Sequence, residues 1–314
     1  MRELTQQPGI NLLRQAYRTL RRVKQWPATQ RNPYNVLRTY GGYSAIGAAL
    51  RILRTRLWPR GTVLFYPGTP SHYQIIYKLC TLYGYRMHST PDRPYDLVFA
   101  HEGSTVFPQK LFDDFGSAKV INRNAKDISK KQVEQAFGEV FGYSIGIDPA
   151  THEGLALRKS NDNYTHDGEI VSCPCEPEED SRITYQRYID TATGDGFFAE
   201  LRVSVYQDVI PVVCPKFRAD SPERFKVVAR SEVADPGDHL STDEQDKILQ
   251  LARKMGVDYG EMDVMRDNND GRIYVVDVNR TPAGPVSGLT PKQTREALGR
   301  MRPAFERLVR SATK

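Results

Sequence analysis

The 314-residue chain is 39% hydrophobic and 26% charged, which excludes wholesale disorder and leaves room for two or three domains with sizeable cores. No uncharged apolar run approaches the ~20 residues that cross a bilayer, and the N-terminal residues lack an apolar signal core, so a cytoplasmic protein is expected. The net charge of +6 is uneven: residues 1–60 hold twelve Arg or Lys against one acid, Glu3, while the remainder is net −5.

The basic segment comes first. Leu12, Leu13, Ala16, Tyr17, Leu20 and Val23 recur at helical spacing, with Arg14, Arg18, Arg21, Arg22 and Lys24 on the other face. Pro27 ends that helix, and a second is expected from Ser44 to Leu57, before Trp58-Pro59. Residues 1–60 thus read as a helical arm that docks on the body with its arginines in water, touches a membrane surface, or holds another anionic partner.

From Gly61 the pattern changes to strand, helix, strand. Thr62–Tyr66 and Asp96–Ala100 are short apolar runs, and a helix capped by Ser71 and closed by Gly84 lies between them. A small parallel α/β domain over 61–120 is expected, followed by a larger domain over 121–314. There, a helix over 127–141 with Asp127 as its cap precedes strands at 155–158, 169–172 and 183–189, and a polar loop fills 160–168. Phe197–Tyr206 and Val209–Phe217 form a hairpin around Gln207-Asp208. Ser241 with Glu244 is a capping box opening a helix to Lys254, and Thr290-Pro291 opens the last helix. Cys80, Cys173, Cys175 and Cys214 fit no zinc or disulfide framework; the C-x-C pair is a weak metal signal, and reduced thiols are expected.

The segment Met262–Asp267, Asn268-Asn269-Asp270-Gly271, Arg272–Asn279 carries the chemistry. With Asn269-Asp270-Gly271 as a three-residue loop, Asn268 pairs with Arg272 and Asp263 falls opposite Asp277. Asn279 shares the face of Asp277. Two carboxylates and an amide oxygen then converge roughly 5 Å apart, a set of hard oxygen ligands suited to Mg²⁺ beside phosphates. An ordinary hairpin with its acids in water has the same spacing. The Gly/Pro-rich loop Arg280–Pro285 favours the metal, since such loops lie beside bound phosphates.

Asp263 and Asp277-Val278-Asn279, followed by Thr281-Pro282, resemble the C-terminal metal-binding motif of the ATP-grasp superfamily, with Asp277 standing where most members have glutamate. The resemblance implies an α/β (α+β) ATP-grasp fold preceded by a small parallel α/β domain. It also implies ATP and Mg²⁺, with two ions, as ligands. By the same likeness, Gln186, Tyr188 and Asp190 lie on the strand whose backbone reads adenine, with Asp190 replacing the ribose-binding acid that Arg187 displaces. Arg202, in Glu200-Leu201-Arg202, resembles a phosphate-facing arginine, and Arg218 a second cation near the transferred phosphate. Lys159 and Lys130, with Lys131 as rival, resemble the nucleotide-binding lysines, and His166 with Asp167 and Gly168 lies in the phosphate loop. A structural reading of Arg202 remains, with Glu200 as its partner on the same face.

The implied reaction activates a carboxylate as an acyl-phosphate for attack by an amine or similar nucleophile, the substrates being small molecules or peptides. A kinase that stops at phosphoryl transfer and a non-catalytic nucleotide-binding protein with a basic partner-binding arm are the alternatives.

Overall fold

The computed structural model describes residues 33–313 apart from 164, 166 and 222–226. The helix expected over residues 10–25 and His166 lie outside the described residues. Pro33–Lys314 form one compact unit.

Two helices, α1 (Pro33–Gly41) and α2 (Ala45–Leu57), open the described chain. The sequence pattern showed only the second, whose cap is Ser44, its Oγ accepting the Gly47 N–H at 3.1 Å. Both pack on the body: Val36, Leu37 and Ala48 are buried in the same core as Phe65, Phe99, Met301 and Phe305. α1 and the inner face of α2, within the segment assigned from charge to the arm, are therefore packed into the core of the body.

A parallel sheet comes next, in the order β2-β1-β3-β4, from β1 (Thr62–Pro67), β2 (Arg86–His88), β3 (Leu97–His101) and β4 (Val120–Ile121). Helix α3 (Ile75–Tyr83) crosses between β1 and β2. It starts at Gln74 rather than at Ser71, whose N–H is instead held by the Gln74 side chain. Gly84 closes α3 at φ 79°, a left-handed conformation that costs glycine nothing.

The larger part contains α4 (Lys130–Phe141) and two antiparallel sheets. Its cap is Ser129; Asp127 sits two residues earlier and accepts the Ser129 N–H, which corrects the expected start. One sheet has three strands, β6-β5-β7, from β5 (Gly154–Ser160), β6 (Glu169–Cys173) and β7 (Ile183–Arg187). The other has five, β10-β9-β8-β11-β12. These are β8 (Phe197–Tyr206), β9 (Val213–Ala219), β10 (Arg230–Ser231), β11 (Tyr259–Arg266) and β12 (Ile273–Asn279). Strand β9 begins four residues later than expected. Val209 pairs only with Tyr206, and Pro211, which has no N–H to give to a ladder, separates that turn from the strand.

A one-turn helix α5 (Pro236–His239) precedes α6 (Thr242–Lys254), which carries the expected Ser241–Glu244 capping box. The final helix α7 (Pro291–Ala312), capped by Thr290, returns to the parallel sheet, where Leu298, Met301, Phe305 and Leu308 are buried. The mixed α/β fold expected from the sequence, a parallel sheet followed by antiparallel ones, is the fold observed. No helix among the described residues is long and apolar enough to cross a membrane.

Candidate active site

Alternation along the five-stranded sheet sorts its residues by chemistry. Leu201, Val203, Val205, Met262, Val264, Val275 and Val278 belong to the core beneath α4 and α6. The opposite face carries Glu200, Arg202, Lys216, Arg218, Glu261 and Asp263, and its neighbours match across strands: Glu200 with Lys216, and Arg202 with Asp263. This charged face and the three-stranded sheet bound a cavity of about 390 Å³. Its wall includes Lys130 from α4, Lys159 from β5, Gln186 and Arg187 from β7, Arg202 and Arg218, and Asp263, Asp277 and Asn279.

Asp263 does face Asp277, as expected, but by a different route. The hairpin loop has four residues, not three: Asp267 N–H donates to Arg272 O and Gly271 N–H to Asp267 O. That loop alone sets Val264 opposite Val275, a register in which Asp263 would meet Val276. A bulge between Asp263 and Val264 absorbs one residue of β12 and restores the Asp263–Asp277 pairing. Bulges of this kind re-aim side chains next to sites.

Strong ion pairing accounts for the buried charge. Arg202 Nε lies 2.8 Å from Asp263 Oδ1, and its Nη1 lies 3.7 Å from Glu261 Oε2. Glu200 is instead engaged by Lys216 and by Arg218, whose Nε donates to it at 3.2 Å. The alternative structural reading, in which Glu200 partners Arg202, is thereby corrected: hydrogen-bonded partners come from the adjacent strands, not from two residues along. Lys216, only 1% exposed, also donates to Asp263 at 3.0 Å. Sequence reasoning missed Lys216 and Glu261. The signal available was a charged residue at alternate positions of otherwise apolar strands.

Burial sets the protonation of these groups. It pushes the Asp263 carboxyl up to about 6, helped by Glu200 and opposed by Arg202 and Lys216. Asp277 also rises through burial, against the pull of Lys130 and Lys159. Lys159 falls to about 8 because it is buried and because Lys130 is close. Lys130 falls for the same first reason, with Asp277 opposing. Glu200 stays well below the usual carboxylate range: Lys216, Arg218 and Arg202 outweigh its burial. Five cations (Lys130, Lys159, Arg187, Arg202, Arg218) and four acids (Asp167, Glu200, Asp263, Asp277) therefore line one cavity, with Lys216 and Glu261 paired to them from behind its wall.

The remaining expected residues divide. Lys130 donates to the Asp162 carbonyl at 2.6 Å and lines the cavity. Its rival Lys131 points away, to the Ser181 carbonyl. Gln186 and Tyr188 line the cavity. The Tyr188 N–H already donates to Leu155 O at 3.3 Å, so that backbone donor is taken. Asp190 is turned into its own loop, where its carboxylate accepts the Ala192 N–H at 3.0 Å, while the wall is made by Tyr188, Ile189 and Thr191. Arg187, in the place of an acid, reaches the hairpin: it donates to Tyr274 Oη at 2.5 Å and pairs with Asp267 at 3.3 Å. In the loop between β5 and β6, where the resemblance places phosphate, Thr165, Asp167 and Gly168 line the cavity. Asn163, which no sequence signal marked, ties that loop to β12 through the Val278 carbonyl.

Two cavity atoms stand out. Asp277 Oδ1 and Gln186 Nε2 are buried and have no hydrogen-bond partner among the described residues. An orphaned acceptor costs roughly 1–3 kcal/mol unless a ligand or water satisfies it. Asn279, which accepts the Thr281 N–H at 2.9 Å through Oδ1, adds a second oxygen to the Asp277 end. No group of three His, Cys, Asp or Glu side chains able to hold a metal occurs among the described residues. An ion here would need oxygens from a bound phosphate, which is how Mg²⁺ is commonly held. Asp263 is already engaged by two cations, so the donors fit one ion at Asp277 and Asn279 better than two.

No family model matches the sequence, and no curated protein does. Solved structures do. The chain is similar in fold to ATP-grasp ligases. One is the D-alanine–D-alanine ligase of Bacillus anthracis in complex with ATP, at 14% identity over 80% of this chain and 98% of that one, with a TM-score of 0.49. Another is the RiPP-associated ATP-grasp ligase of Chryseobacterium gregarium with ADP and a leader and core peptide, at 11% identity over 78% and 97%, TM-score 0.47. A third is the ATP-grasp ligase PsnB with a minimal precursor, at 17% identity over 62% and 68%, TM-score 0.38. In two further PsnB structures the chain spans 62% and 65% of that protein's length. At these identities and scores, function has to be argued from this chain's own site.

Proposed function

We propose that the cavity binds Mg-ATP and that the protein is an ATP-dependent ligase, joining a carboxylate to an amine or similar nucleophile. The observation that supports this most is the convergence of Lys130, Lys159, Arg202 and Arg218 on one cavity that also presents the orphaned Asp277 oxygen. A triphosphate would supply what that set lacks: negative charge for the cations and oxygens for a metal.

In this reading Lys130 and Lys159 hold the phosphates from the α4 and β5 side, and Arg202 approaches from the five-stranded sheet. Gln186 Nε2, a buried donor, faces the base or ribose. Mg²⁺, when bound at Asp277 and Asn279, would neutralise phosphate charge and orient the terminal phosphoryl group. Arg218, which lines the cavity while its Nε holds Glu200, aligns the acceptor carboxylate. A carboxylate oxygen takes the γ-phosphoryl group and ADP leaves. The nucleophile then attacks the acyl carbon, loses a proton, and phosphate departs. No protein nucleophile is needed; charge neutralisation and alignment carry the catalysis.

The test is ADP and phosphate release from Mg-ATP with a panel of carboxylates and amines. Release that requires one member of each class supports the ligase. ADP formation with a stable phosphorylated product and no need for an amine would replace ligation by phosphoryl transfer alone. ATP binding without turnover under any pairing would remove the catalytic reading.

A further inference from the structure

Helix α2 has two different faces. Ala48 is fully buried and Arg51 Nη2 donates inward to the Leu82 carbonyl at 3.1 Å, which fixes the inner face against α3. The outer face carries Ile46, Leu50, Leu53 and Leu57, at spacings of 4, 3 and 4 residues, exposed by 74, 60, 51 and 55%. Trp58, immediately after the helix, is 72% exposed. At ~100° per residue these four aliphatic side chains fall in one narrow stripe, with Arg54 and Arg56 about 80° to either side of it. Solitary exposed apolar residues are common, but a continuous outward stripe closed by a tryptophan marks an interaction surface.

The surroundings say what kind. Residues 33–91 contain seven Arg or Lys and no Asp or Glu. The cations Arg38, Arg54, Arg56 and Arg86 are exposed, as is Arg60, which pairs with Glu306 from α7 at 2.8 Å. An apolar stripe between two arginines, with an indole at its end and no acid in its own segment, is the pattern of a helix lying in the plane of an anionic bilayer surface. The aliphatic residues would enter the acyl boundary, Trp58 would sit at the headgroup level, and the guanidinium groups would meet lipid phosphates. A second copy of the chain is disfavoured, because a two-fold contact along the stripe would bring the flanking arginines of both copies together with no acid of α2 to pair them.

We propose that the outer face of α2, through Ile46, Leu50, Leu53, Leu57 and Trp58 with Arg54 and Arg56, docks the protein on an anionic lipid membrane. The association is peripheral and independent of what the cavity binds.

The full-length protein should be sedimented with vesicles of phosphatidylcholine alone and of phosphatidylcholine containing phosphatidylglycerol. Binding is expected on the anionic vesicles, weakened by salt. Leu50→Ser with Leu53→Ser should reduce the partition coefficient roughly tenfold or more. Arg54→Gln with Arg56→Gln should reduce it by about fivefold for each arginine. In a Trp26→Phe background, Trp58 emission should shift to the blue on the anionic vesicles. All these side chains are exposed, so the variants should melt at the wild-type temperature and keep any ATP binding. Equal binding by the Leu50/Leu53 variant, or a Trp58 spectrum unmoved by vesicles, would overturn the proposal. So would a chain that ignores every vesicle yet binds polyglutamate through the same arginines, which would make this face a docking surface for an acidic protein.

Discussion

Asp277 presents the cavity with an oxygen that nothing among the described residues satisfies, and burial raises its pKa above the ordinary carboxylate value. A carboxylate whose folded pKa is raised favours the fold below its unfolded pKa, and that contribution is lost as pH rises through the folded value. Above that value the buried, ionised group is therefore a cost to the free protein. Asp277→Asn should leave the melting temperature unchanged or higher at pH 7 while lowering Mg-dependent turnover by about 100-fold or more; ADP release and a thermal melt check both. Lys159 gives the complementary prediction. In the free protein it loses its proton as pH rises through about 8, whereas a neighbouring triphosphate would let it keep that proton. Nucleotide binding should then take up protons between about 8 and the ordinary lysine value near 10.5, and not at pH 7. Calorimetry at pH 8.5 in buffers of different ionisation enthalpy measures the uptake, and Lys159→Met should reduce it. Arg202 was legible in the sequence because a charge inside an apolar strand is costly without a use; Asp263 and Asp277 were legible from the hairpin spacing, and Lys159 only from the family resemblance. Their partners were not, since Lys216 and Asp263 meet Glu200 and Arg202 only through strand register.

Strand register is also what brings Asp263 and Asp277 together. The hairpin itself could be read from Asn268-Asn269-Asp270-Gly271, but the loop length and the compensating bulge could not, because each shifts the pairing by one residue and the two cancel. β11 approaches β12 closely at Gly260: a Cβ there would stand 2.7 Å from the Asn279 carbonyl oxygen and 3.0 Å from Val257 Cγ1. Gly260→Ala should therefore push β12 outward at Asn279 and destabilise the protein by about 1–3 kcal/mol. Turnover should fall further than the lost stability accounts for, measured by urea unfolding alongside ADP release. Helices with strong caps, such as α6 and α7, were legible to within a residue or two. α1, with no acid or capping signal and with Pro33 and Gly42 at its ends, was not.

Across the whole molecule, Arg280 joins the parts. It is 1% exposed, lies over the Phe107 ring, and donates to the carbonyls of Glu102, Ser104 and Ala125. The residue directly after β12 is thus a tie to the chain following β3 and faces no phosphate, although Ala283 in the same loop does line the cavity. Composition and spacing could not show this, because an arginine in a Gly/Pro-rich loop ordinarily faces water. Arg280→Met should cost about 3–5 kcal/mol by leaving several carbonyls unpaired, seen as a lower urea midpoint. The charged cavity between the two antiparallel sheets makes one demand above the rest. Isothermal calorimetry of the wild-type chain with a non-hydrolysable ATP analogue should show saturable one-site binding that requires Mg²⁺ and is lost in Lys130→Met with Lys159→Met. An absence of binding heat with and without Mg²⁺ at several temperatures, or binding untouched by the loss of both lysines, would contradict it.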